Sequence, residues 1–134
     1  MGQYFIVVNL DKEEMINPWK FGDGQKLLEF GCSRCSTLTA LTILLRQSSE
    51  KGGGDISSNN PVVGQWAGDR IAIVGDYDNS KLYDYASEKF EDISFDAFDA
   101  LLDDDYIRRL YKDDPDFLNE LKEDNINLYK KIIK

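Results

Sequence analysis

The chain has 134 residues, 42% of them hydrophobic, with 25 acidic and 16 basic side chains, a formal charge of −9 and no histidine. That length and apolar content suit a single soluble domain with its own core. The acidic balance excludes a general binder of nucleic acids or anionic membranes, which needs a basic footprint.

Without histidine there is no Ser-His or Cys-His nucleophile pair and no His-ligated zinc. Any catalysis has to rest on carboxylates, Lys, Tyr, Arg or the two cysteines. No apolar run approaches the roughly 20 residues that span a bilayer. The opening "MGQYFIVVNLDKEE" lacks the basic and long apolar regions of a signal peptide. Ile6 stands where the myristoylation pattern wants Ser or Thr. A soluble, cytoplasmic protein is expected.

In chain order, "QYFIVVNL" (3–10) is aromatic and β-branched and predicts a strand buried on both faces. "DKEEMINPWKFGDG" predicts a loop, since Pro18 and two glycines break any helix. Residues 26–30 fit a strand or a short helical turn. Ser36 or Thr37 caps a helix through about Gln47, with Leu38, Leu41, Leu44 and Leu45 at helical spacing. The Gly- and Ser-rich stretch 48–60 predicts a flexible loop. "VVGQWAGDRIAIVGDYD" (62–78) predicts two sequential strands or a β-hairpin, with strands at 61–66 and 70–75 about an Ala-Gly-Asp-Arg turn. Trp19 and Trp66 are assigned to core or hairpin packing. "SKLYDYASEKFEDIS" fits a short helix or an edge strand.

Ser94 is expected to cap a helix over 95–111, with Phe95, Phe98, Leu102, Tyr106 and Leu110 inward. Asp114 is expected to cap the last helix, with Pro115 at its first position. Phe117, Leu118, Leu121, Leu128, Tyr129 and Ile132 form that helix's apolar face. Strands in the first two thirds and helices in the last predict one α+β domain over 1–134. A small, mainly antiparallel sheet with one packed helix occupies 1–90. The remainder, 91–134, is helical and acidic.

Three sets of residues carry chemistry. Four Gly-Asp pairs, ending in Asp23, Asp55, Asp69 and Asp76, suit Asx-turns with glycine at positive φ. If these loops meet at one sheet end, their carboxylates, with Asp78, suit Mg²⁺, Ca²⁺ or a polyol. Arg70 in the same turn suits an anionic ligand or, as a lone Arg at a turn favours, pairing with a neighbouring carboxylate. Asp76, Asp78 and Ser80 have the first spacings of an EF-hand loop, but Lys81 replaces the required glycine and Glu88 comes one place late. Cys32 and Cys35 form a Cys-x-x-Cys near a helix start, where the dipole and Arg34 favour a thiolate. The plainer alternative is two reduced structural thiols. The run containing Asp96, Asp99, Asp103, Asp104 and Asp105 lies within residues 91–116, which hold ten acids and three bases. Such a field either solvates a helix or faces a basic protein, as in immunity proteins and nucleic-acid mimics.

The blocks "MGQYFIVVNLDKEE", "PWKFGDGQKLLEF", "GGGD", "WAGDRIAIVGDYD" and "EDIS" resemble a family of small uncharacterised bacterial and fungal proteins. The family's chains open with Met-Gly-Gln-Tyr and Val-Asn-Leu-Asp-Lys and later carry Trp-Ala-Gly-Asp-Arg-Ile. The resemblance covers roughly residues 1 to 94 in separated blocks. It implies a shared surface containing Asp11, Asp23, Asp55, Asp69, Arg70 and Asp76, with no role attached to any of them. The cysteine pair lies outside the family pattern.

The leading expectation is a non-catalytic module that binds a protein, of basic character, through an acidic surface. A carboxylate-centred cation or small-molecule site at the Gly-Asp loops is the alternative. A thiol redox protein comes third.

Overall fold

The computed structural model describes residues 2–48 and 52–134. Strand β1, Phe5–Asn9, is central, and Ile6, Val7 and Val8 are fully buried on its two faces. Left-handed backbone at Glu13 (φ 55°) turns the chain into β2, Glu14–Ile16, which pairs antiparallel with β1 in the register Val8↔Met15. This corrects the loop expected over 11–24. A three-residue strand with no β-branched run has no sequence signature of its own and exists through its partner. A 3-10 turn at Pro18–Phe21 leads to helix α1, Leu27–Gly31, the helical alternative for 26–30.

Helix α2, Thr37–Leu45, forms where it was expected. Of the loop expected at 48–60, residues 49–51 lie outside the described part, and 52–60 contains no helix or strand. The strand expected at 61–66 is absent, and 61–68 is a series of turns. Gly64 and Trp66 donate their N–H groups to the carbonyls of Ile43 and Leu44, both at 2.8 Å. The segment thus satisfies orphaned carbonyls at the end of α2 instead of a strand ladder. Gly64 (φ 81°) is required there, because a Cβ would lie 2.8 Å from the carbonyl oxygen of Arg46. There is consequently no hairpin across 62–78.

Strand β3, Ile71–Gly75, instead pairs antiparallel with β1, with Val7 opposite Ile73. Helix α3, Leu82–Lys89, and strand β4, Glu91–Asp92, follow, so 80–94 holds both a helix and an edge strand. β4 runs parallel to β2, and the sheet order is β3-β1-β2-β4.

The helix expected over 95–111 is two, α4 (Ser94–Leu101) and α5 (Asp105–Lys112). The break follows from Asp104, whose side chain accepts from the N–H groups of Tyr106 and Ile107 and so starts a new helix. Ser94 is the first helical residue and not a cap, with its hydroxyl accepting from the Asn17 N–H at 2.8 Å. The final helix is likewise divided, into α6 (Pro115–Asp124) and α7 (Ile126–Ile133). Asn125 is extended (φ −154°) and caps the second part through the Leu128 N–H. Asp114 and Pro115 start α6 as expected.

The fold is α+β, with helices on both sheet faces. Ile6, Val8, Met15 and Val74 pack against Ala86 and Phe90 on one face. On the other, Val7 and Ile16 meet Ala40 and Leu44 of α2, Trp66, and the α4–α7 layer. Phe98 lies between Phe21, Tyr111 and Phe117, with ring centroids 4.8–5.9 Å apart. Each large apolar side chain buried here contributes about 1.5–3 kcal/mol. Among the described residues no helix is long and apolar enough to cross a membrane.

Candidate functional site

The Gly-Asp carboxylates hold separate pieces of the fold. Asp69 accepts from Asn9 Nδ2 at 2.9 Å and pairs with Lys12. Asn9 is fully buried, and its Oδ1 accepts from the N–H groups of Asp11 (2.9 Å) and Lys12 (2.8 Å). Asp11 accepts from the Arg70 N–H and from its guanidinium, both at 2.7 Å. The Asn-Leu-Asp-Lys and Gly-Asp-Arg blocks therefore form one clamp between the β1–β2 turn and the start of β3. The bonds from Arg70 hold the Asp11 carboxyl below its ordinary value, and those from Asn9 and then Lys12 do the same for Asp69. Trp66 Nε1 donates to Glu14 at 2.8 Å and extends the clamp.

Asp76 lies at the opposite end of β3 and accepts from the Tyr4 N–H at 3.0 Å. Asp78 accepts from the Ser80 hydroxyl, and Asp55 from the Gly52 N–H. Asp23 accepts from the Ser36 hydroxyl (2.8 Å) and from the N–H (3.1 Å) and hydroxyl (2.5 Å) of Thr37. The α2 start is thus capped from outside the helix, with Ser36 relaying to Asp23. Among the described residues no three Asp, Glu, Cys or His side chains are grouped to hold a metal ion.

The acidic run is also largely occupied. Asp99 and Asp103 receive Lys131 Nζ at 2.9 and 2.6 Å. Burial lowers the Lys131 pKa, but the bonds to Asp103 and Asp99 outweigh it and leave the ammonium above its ordinary value. Asn60 donates to Asp99, Ser58 to Asp103 and the Ser57 N–H to Asp104. Asp105 pairs with Arg108, and Asp96 is exposed. Cys32 is exposed at the C-terminal end of α1, and Cys35 is half-buried before α2 with φ 60°. Neither occupies the first turn of α2, and Arg34 donates to the Tyr106 hydroxyl at 2.8 Å.

A different place gathers free acid and an aromatic surface. Asn17 accepts from the Trp19 N–H at 3.0 Å and sets up the 3-10 turn, which leaves Trp19 57% exposed. Lys20 turns away to Asp92 at 2.7 Å. Gly22 (φ 88°) then brings the turn against α6, where a Cβ would lie 3.2 Å from the Phe117 ring. Tyr111 fixes the same turn from below by donating to the Phe21 carbonyl at 2.6 Å. Burial first, and the Asp23 charge second, push its phenol well above the ordinary value.

The resulting cleft, of about 230 Å³, is lined by Trp19, Asp23, Asp114, Asp116, Phe117 and Glu120 with two glycines and, among the described residues, by no cation. Asp23 and Asp114 cap helices, whereas Asp116 and Glu120 lie exposed on α6 without an ion pair among the described residues. An adjoining cleft of about 350 Å³ shares Asp23 and Asp114 and adds Glu29, Arg34 and Tyr111. On α1, the helix that carries Glu29, Leu28 is 81% exposed. Of these residues only Asp23 was among the sequence candidates. Assigning Trp19 to packing is corrected by its exposure, while Trp66 is fully buried as expected. The one available signal was a tryptophan between Pro18 and a Gly-Asp turn. Against models of protein families, curated proteins and solved structures, the chain finds no match.

Proposed function

We propose that this protein is a non-catalytic interaction module, and that the Trp19 cleft takes a Lys or Arg side chain of a basic protein partner. The observation that carries this is an exposed indole beside four carboxylates with no cation in the lining. A cation over an indole face gains about 0.5–2 kcal/mol, more as it is desolvated, and the carboxylates supply long-range attraction consistent with the net charge of −9. The exposed Leu27 and Leu28 offer apolar contact on the neighbouring helix, which favours a protein partner over a bare metal ion.

The test is a fluorescence and calorimetric titration with an Arg- and Lys-rich peptide. Trp19 is the responsive fluorophore, because Trp66 is sealed in the core. Saturable binding that weakens as salt rises is expected. Trp19→Ala should reduce affinity about tenfold, equivalent to about 1.4 kcal/mol. Asp116→Asn with Glu120→Gln should flatten the salt dependence. Binding indifferent to all three substitutions, or none at low salt, removes the proposal.

A further inference from the structure

The open edge of the sheet is self-complementary. β3 is an edge strand, and the bonds Leu10 N–H to Arg70 O and Asp76 N–H to Tyr4 O show that its even-numbered residues face β1. By the alternation of an antiparallel ladder, Ile71 and Ile73 turn their backbone groups to the open side, as does Gly75, whose carbonyl already accepts from the Asp78 N–H at 3.0 Å and has one lone pair left. Ile73 is the middle residue of the strand and 45% exposed.

The geometry points to a second copy of this chain as the occupant of that edge, in a two-fold antiparallel pairing centred on Ile73. In that register Ile73 faces its own counterpart, Ile71 faces Gly75, and Arg70 faces Asp76. The residues with outward backbone groups thereby meet one another, the Ile73 pair exchanging both bonds and each Ile71–Gly75 pair sharing the Gly75 carbonyl with its turn. Each end of the strand places a cation opposite a carboxylate. The Arg70 side chain is largely exposed despite its bond to Asp11, and Asp76 uses one oxygen for Tyr4, so both have bonding capacity left. A shift by one residue faces odd against even positions and loses the backbone match. Two four-stranded sheets would join into one, an isologous arrangement in which each copy offers the same patch.

Sedimentation equilibrium tests this at ionic strength near 0.15 M, where a Debye length of about 8 Å screens the repulsion between two chains of net charge −9. A concentration-dependent dimer is expected, tightening as salt rises, the opposite of the basic-peptide titration. Ile73→Lys should be monomeric with an unchanged circular dichroism spectrum. If that variant misfolds, Ile73→Cys in a Cys32→Ser, Cys35→Ser background decides the matter: oxidation should link two copies through residue 73, faster than through Ile133→Cys, an exposed site elsewhere. A wild-type monomer at every concentration, a dimer that Ile73→Lys leaves intact, or equal cross-linking at both positions overturns the proposal.

Discussion

The two tryptophans divide the molecule. Trp66 is fully buried, donates to Glu14, and sits in a segment whose neighbouring carboxylate, Asp69, has a cation and an amide beside it. Trp19 is exposed, and among the described residues the carboxylates around it have helix N–H groups and hydroxyls as partners, or none, but no cation. Both follow the same chemistry of a tryptophan near a Gly-Asp turn. What separates a fastening from a binding surface is charge compensation, and a count of aspartates cannot reveal it.

Substitution is the strongest way to break that comparison. Trp66→Ala should cost about 3–5 kcal/mol in urea unfolding, as for other buried aromatics, while Trp19→Ala should stay within about 0.5 kcal/mol. Equal losses would erase the distinction. Asn9→Ala comes next, at about 2 kcal/mol, because it strips three hydrogen bonds from a buried amide and leaves the Asp11 and Lys12 N–H groups without their acceptor. Peptide affinity at the Trp19 cleft should not change.

The smallest effect concerns acid. Asp11 and Asp69 have folded-state values below the ordinary 3.8, so their contribution is complete above that pH and is lost as pH falls through the lowered values. Asp11→Asn with Asp69→Asn should flatten this acid limb of a stability–pH curve.

The legible parts of the chain were those with local causes. β1, α2 and β3 announce themselves through β-branched runs and helical spacing, and Asp114-Pro115 through capping chemistry. The failures have tertiary causes, except where a local cap divides a helix. Val62, Val63 and Trp66 have the apolar content of a strand, yet their segment is drawn onto the α2 carbonyls. β2 depends on β1 for its existence. The acidic helix was divided because one of three consecutive aspartates caps backbone, a choice that composition cannot express. At the clefts, Asp116 and Glu120 read as ordinary solvated acids. Only the approach of the 3-10 turn to α6 through Gly22 places them beside an indole.

The sheet order has a consequence for how the chain is made. β1 is spatially interior but precedes β3 by many residues, with Asn9 opposite Ile71. During vectorial synthesis Ile6, Val7 and Val8 emerge long before the strand that covers their second side. Until Gly75 has left the ribosome, only the three-residue β2 can pair with them. A nascent chain in this interval carries an open apolar strand edge, the kind of surface that invites mispairing. The clamp of Asn9, Lys12 and Asp69 can close only at the end of that interval, which makes it a late checkpoint on the register of β3 against β1.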